Sequence, residues 1–205
     1  MHIAIEGIDG VGKTTLAREL ARRTGARFVE KHLHALFDGE DPADIPNYMR
    51  ITQKVNASKD LVFRAWFYAL GNLYLREHYA GQDIVTDRYF ASNYSWNGCP
   101  GNAYVFEHLI GELGKPEITF LIYVRPEVRA ERLRLRNPED ADLRNATRDF
   151  SDRMYHRLRD FLDRYDFHYH LIDTSDMDAG QTLEKVCGII ADEFPERFGK
   201  LRLGN

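Results

Sequence analysis

The 205-residue sequence predicts an α/β fold, a three-layer sandwich in which helices cover both faces of a five-stranded parallel sheet. Three observations carry that expectation. Short, mostly apolar runs recur at residues 2–6, 26–30, 83–86, 118–124 and 168–172, with helical patterns between them. Apolar residues make up 43% of the chain, enough for one core, and the length fits a single domain over residues 1–205. Finally, a glycine loop, Gly-Ile-Asp-Gly-Val-Gly-Lys-Thr-Thr at residues 7–15, stands between the first strand and the first helix.

In chain order, residues 2–6 (HIAIE) read as a buried strand, and residues 13–23 place Leu16, Ala17, Leu20 and Ala21 on one helical face. Between them Gly7, Gly12, Lys13 and Thr14 fill the GxxxxGK[ST] pattern of a phosphate-binding loop. Such a loop, here with Gly10 and Thr15 inside it, turns successive backbone N–H groups toward phosphate oxygens at a helix N-terminus. Lys13 is expected to reach the β and γ phosphates of ATP, and the Thr14 hydroxyl to ligate Mg²⁺. Gly25 and Gly81 sit where helices should end. Residues 61–75 (LVFRAWFYALGNLYL) are apolar nearly all round and predict a helix buried on more than one side. One side would face the core or the nucleotide, and the other either a homodimer seam or further intramolecular packing.

Asp87-Arg88-Tyr89 follows the third strand. A carboxylate at the C-terminal end of a buried strand beside the loop can hold Mg²⁺ or its waters, and the adjacent guanidinium can clamp a phosphate. A surface ion pair would also satisfy Asp-Arg. Pro126 suits the first turn of a helix. Residues 125–148 hold seven arginines in an otherwise acidic chain of net charge −4. Arg129, Arg132 and Arg136 share one helical face, and a polar stretch near 137–148 carries Arg144 and Arg148. An arginine-bearing lid that closes over a transferring phosphoryl group is one reading, and a solvated helix laced with Glu/Arg pairs is the other.

The net negative charge argues against a nucleic-acid-binding surface. Cys99 and Cys187 share no metal-ligand spacing, which fits a reduced, cytoplasmic setting, and His32 with His34 lacks a third ligand. The first strand begins at residue 2, leaving no room for a targeting peptide, and no apolar run approaches the ~20 residues that cross a bilayer. No Asn-Lys-x-Asp segment is present to read guanine, which favours a small-molecule kinase over a GTPase switch.

With these residues in place, the chain resembles the thymidylate kinases and, more distantly, the deoxynucleoside kinases. The loop EGIDGVGKTT at residues 6–15 is similar to the family's EGxDGxGKTT, and Asp9 is a mark of thymidylate kinases. Residues 87–98, DRYFASNYSWNG, resemble DRYxxSxxAYQG, with Trp96 and Asn97 at the usual tyrosine and glutamine. Pro126-Glu127 with Arg132 and Arg136 resembles the family's lid helix. The resemblance implies transfer of the γ-phosphoryl of MgATP to a pyrimidine deoxynucleotide, with dTMP the expected acceptor, in a dimeric enzyme. It implies that Asp9 and Arg88 align the acceptor, that Ser92, Trp96 and Asn97 lie against it, and that Arg132, Arg136, Arg144 and Arg148 neutralise developing charge. Gly10 stands where one branch of the family has an arginine; the other branch supplies that charge from the lid.

Two departures concern the acceptor. Residues 30–34 are Glu-Lys-His-Leu-His where Arg-Glu-Pro is usual, and residues 63–70, FRAWFYAL, put Phe67 where the family has an arginine. Phe63 and Arg64 are therefore candidate acceptor contacts, with Arg64 the possible substitute. Glu30 could instead be a base for a nucleoside 5′-hydroxyl, as in deoxynucleoside kinases, or an ordinary strand-end glutamate. A nucleoside or modified-pyrimidine kinase is thus one rival reading, and a non-catalytic nucleotide-binding module another.

Overall fold

Strand β1 (His2–Glu6) runs up the middle of the sheet, directly beneath the glycine loop it feeds. The structure, a computed structural model, describes residues 1–30, 32–39, 44–139 and 141–199. Strands β2 (Arg27–Glu30), β3 (Ile84–Asp87), β4 (Ile118–Tyr123) and β5 (Tyr169–Asp173) complete the sheet. Its order is β2-β3-β1-β4-β5, and every pairing is parallel. β1, β3 and β4 are nearly continuous apolar runs because both their faces are covered by helices.

Helix α1 (Lys13–Thr24) buries Leu16, Ala17, Leu20 and Ala21, the face its spacing predicts, and Gly25 ends it at φ +71°. Helix α2 (Pro46–Ala57) and helix α3 (Leu61–Tyr79) follow, the latter started by the Asp60 carboxylate accepting from the N–H groups of Val62 and Phe63. Helices α4 (Phe90–Asn97) and α5 (Ala103–Leu113) lead to β4. Helices α6 (Pro126–Arg136) and α7 (Arg148–Arg164) flank the expected lid, and α8 (Ala179–Glu193) and α9 (Pro195–Phe198) close the described chain. Within the lid a 3₁₀ turn covers Ala141–Asn145, and Asp140 lies outside the described residues, as does Lys31.

The five expected strands are present, shifted by one residue at some ends. Asp87 closes β3 rather than following it, so it is held in ladder register opposite Ile5 and Glu30. The largest fully buried side chain is Arg129, outranking Phe90, Phe106, Phe120 and Phe161. Helix α3 buries Ala65, Ala69 and Leu75 and leaves Phe63, Trp66 and Leu70 exposed on its other side. Among the described residues no helix is long and apolar enough to cross a membrane.

Candidate active site

The C-terminal ends of β1 and its two neighbours, β3 and β4, open onto one cleft of about 1500 Å³. That is where a doubly wound sheet holds ligands. One wall is the glycine loop from Asp9 to Thr15. Gly7, Gly10 and Gly12 have φ of +147°, +86° and +97°, a left-handed backbone that a Cβ would strain. Gly12 caps α1, so the loop delivers its N–H groups to the helix N-terminus. Gly7 itself packs beneath the loop, where a Cβ would stand 2.8 Å from the Ile122 carbonyl oxygen. It shapes the cleft without lining it.

Lys13 is buried, and its amine donates to the Ile8 carbonyl at 2.8 Å. Burial, with the Arg88 charge nearby, pushes the Lys13 pKa down. The Thr14 hydroxyl donates to Asp87 Oδ2, while the buried Oδ1 has no hydrogen-bond partner among the described residues. A hydroxyl joined to a carboxylate with a spare buried oxygen, at the mouth of a phosphate nest, is a donor set suited to Mg²⁺. These residues fit the ion and a nucleoside triphosphate.

Arg88 occupies the floor. Its guanidinium donates to Asp9, to the Gly7 carbonyl at 3.2 Å and to Ser92 Oγ at 3.0 Å. Burial works against the charged form of Asp9, but Arg88, Lys13 and Arg129 outweigh it and hold its pKa at about 2. Asp9 is therefore an anion that fixes the guanidinium's direction.

The rest of the cleft is lined by Glu30, Arg64, Ser92, Trp96 and Asn97, together with Tyr48, Tyr68 and Asn72. Among the described residues six buried side-chain polar atoms lack partners, and four belong to cleft residues: Arg64 Nε, Asn72 Nδ2, Asp87 Oδ1 and Asn97 Oδ1. Buried polar groups left open in one cavity mark a place built to receive a polar molecule. Phe63 is half exposed and outside the cleft. Phe67 turns away too, stacking on Phe37 at 6.3 Å beside the small cluster of Leu33, Ile45 and Tyr48.

The arginines of 125–148 divide by depth. Arg129 is buried and donates to the carbonyls of Asp9 at 2.6 Å and Asn145 at 2.7 Å, tying the glycine loop to the turn between α6 and α7. Arg132 reaches the carbonyls of Val11 (3.2 Å), Thr174 (2.8 Å) and Met177 (3.3 Å), and both it and Arg136 line the cleft. Arg136 also pairs with Asp142 at 3.1 Å. Arg144 and Arg148 are exposed and outside the cleft, and Arg148 pairs with Glu127.

Sequence reasoning missed what holds α4, the helix that carries Ser92, Trp96 and Asn97. Its N-terminus is met by the buried Glu6 carboxylate, which accepts from Tyr89 N (2.9 Å), Ser92 N (3.2 Å) and the Ser92 hydroxyl. Burial raises the Glu6 pKa despite those bonds. The C-terminal end is met by Arg157 of α7, which donates to Ser95 O (2.7 Å), Tyr94 O (3.1 Å) and Gly98 O (2.6 Å). A side-chain acceptor at the start of a helix and a cation at its end satisfy the open N–H and C=O groups there. The only local signal was Glu6 itself, an acid closing an apolar strand.

Comparison with known proteins agrees with this construction. A family profile described as "Thymidylate kinase" matches residues 5–184. A probable thymidylate kinase of Methanocaldococcus jannaschii is 25% identical over 202 residues, covering 93% of this chain and 95% of that one. A thymidylate kinase of Xanthomonas euvesicatoria pv. vesicatoria is 28% identical over 210 residues, covering 96% and 85%. Among solved structures, the thymidylate kinase of Candida albicans superposes with a TM-score of 0.64 at 14% identity, over 94% of this chain and 91% of that one. A deoxyadenosine kinase of M. mycoides gives 0.64 at 14% identity, over 94% and 100%. A complete phosphate loop, a strand-end Asp-Arg pair and a family match running from β1 into α8 converge: the chain is a phosphotransferase that belongs to the thymidylate kinase family.

Proposed function

We propose that this enzyme transfers the γ-phosphoryl group of ATP to dTMP, yielding ADP and dTDP. The supporting observation is the cleft itself, where the phosphate loop and the Asp9–Arg88 pair share one floor. In this reading the loop amides and Lys13 bind the β and γ phosphates. Arg88, steered by Asp9, takes the acceptor phosphate and lines up its oxygen for attack on γ-phosphorus. The leaving oxygen stays on ADP, and Arg132 and Arg136 stabilise charge spreading over the transferred group. Thr14 and Asp87 would hold Mg²⁺, directly or through water; when bound, it supplies charge neutralisation of the phosphate oxygens. Arg144 and Arg148 would join only if the lid moves inward.

A second reading has one observation of its own. Glu30 ends β2 on the cleft wall, in register with Asp87, where a base for a sugar hydroxyl would stand. In either case we place the enzyme in the cytoplasm, and its outward α3 face, Phe63, Trp66 and Leu70, in a homodimer seam.

The test is ADP release from MgATP across nucleoside monophosphates and nucleosides. The expected outcome is a preference for dTMP, with Lys13→Ala losing more than ~10²-fold in kcat while remaining folded. Preference for a nucleoside, abolished by Glu30→Gln, would replace the main reading with the second.

A further inference from the structure

At the opposite end of the sheet from the glycine loop, two imidazoles and a carboxylate converge. His168 immediately precedes β5, and His170 lies two residues on, so both rings project from the same side of an edge strand. Glu193 is the last residue of α8. His170 Nε2 is 2.5 Å from Glu193 Oε1, and His168 Nε2 is 3.0 Å from Oε2. The three ligand atoms all lie within 4.8 Å of one another. His170 is backed by the core through stacking on Phe120, with ring centroids 6.0 Å apart.

A backbone contact makes this more than proximity. His168 Nδ1 lies 3.0 Å from the Glu117 carbonyl oxygen, which can only accept, so Nδ1 carries hydrogen. Nε2 is thereby turned toward Glu193 Oε2, 3.0 Å away, so a ring nitrogen and a carboxylate oxygen face one space. A backbone carbonyl that fixes the tautomer and turns Nε2 outward is also the usual outer support of a metal-binding histidine.

We propose that His168, His170 and Glu193 form a site for a zinc-class divalent ion. Two imidazoles with one carboxylate favour zinc and its late first-row neighbours over magnesium or calcium. Ligands about 2.0–2.2 Å from such an ion stand roughly 3.3–3.6 Å apart at tetrahedral angles, so shifts of under about 1 Å would seat it. Half of His168's side-chain surface is exposed (51%), which leaves an entry path and room for water in the open position. The ion would pin the last turn of α8 to the β5 edge and, through Glu117, to the start of β4. It takes no part in phosphoryl transfer.

The test is equilibrium dialysis of the full chain against Zn²⁺ in excess Mg²⁺, with thermal unfolding in parallel. We expect one zinc per chain and a rise in Tm of about 5–10 °C at free zinc a hundredfold above Kd. His168→Ala and Glu193→Gln should each weaken zinc binding at least about tenfold, while Mg²⁺-supported kinase activity stays unchanged. His168 is exposed enough for its alanine variant to fold, and unchanged unfolding without zinc checks this. Absence of saturable zinc binding would overturn the proposal in favour of a proton-bridged cluster. Equal binding by wild type and both variants would overturn it in favour of a site elsewhere.

Discussion

Arg88 is held at φ +79°, a left-handed conformation that costs a residue with a side chain about 1–3 kcal/mol. Its surroundings over-determine it: the N–H donates to Ile5 O at 2.9 Å, and the guanidinium is spoken for by Asp9, Gly7 and Ser92. Under the proposed function, strain kept at Arg88 is pre-organisation for the acceptor phosphate. Replacing Arg88 with alanine should raise the acceptor KM or lower kcat without abolishing ATP binding, as separate titrations of the two substrates would reveal. The ion pair also has a pH signature. Asp9 sits at about 2 in the fold, below its ordinary 3.8, so its stabilisation is complete above pH ~4 and is lost as the pH falls toward 2. The shift sets an upper bound of about 2 kcal/mol, which solvent screening reduces because the pair is one-third exposed. Urea midpoints of wild type and Asp9→Asn should therefore differ by a constant amount above pH 5 and converge between pH 4 and 2. A gap that persists at pH 2 would mean that Asp9 acts through packing.

Helix α4 is eight residues long, too short to stand unsupported, and it is fixed at both ends by charges from distant elements. Arg157→Ala should remove one donor from each of three carbonyls, Tyr94 O keeping only the Gly98 N–H, destabilising the fold by about 2–3 kcal/mol and raising the acceptor KM more than that for ATP. Gly98 explains the exit of the same helix: a Cβ there would lie 2.7 Å from the Tyr94 carbonyl oxygen and would also meet the Tyr94 ring. Gly98→Ala should cost about 1–3 kcal/mol in chemical denaturation, since neither backbone nor ring can give way freely. At this scale the sequence was readable where one segment carried its own pattern. The glycine loop, the α1 face and the five strands are periodicity and local turn chemistry. Glu6 and Arg157 were illegible because their partners lie 83 and 63 residues away along the chain. The arginine-rich stretch was legible as composition, yet depth sorts its members: Arg129 is a buried strut, Arg132 and Arg136 face the cleft, and Arg144 and Arg148 face outward.

At the scale of the molecule, α3 carries three of the nine exposed large apolar side chains among the described residues, Phe63 (50%), Trp66 (37%) and Leu70 (42%), with Tyr104 of α5 at 52%. A patch of that kind on a chain with a well-filled core calls for a cover. Trp66→Glu with Leu70→Glu should shift sedimentation from dimer to monomer without loss of helix content. Sedimentation as a monomer by the wild type would remove the seam. Residues 61–75 are apolar nearly all round and predict burial on more than one side, but in the structure α3 buries one side and leaves Phe63, Trp66 and Leu70 exposed. Pattern alone could not tell a core neighbour from a second subunit, because both exclude water in the same way.

The strand order has a consequence for how the protein is made. β1 leaves the ribosome first, but its sheet neighbours begin only at Ile84 and Ile118. During synthesis the strand that ends in the glycine loop therefore waits, with one hydrogen-bonding edge open until β3 is made and the other until β4. A nascent chain stalled before β4 would present an apolar strand to chaperones or to other nascent chains. Translation rate between β1 and β4 thus becomes a determinant of yield.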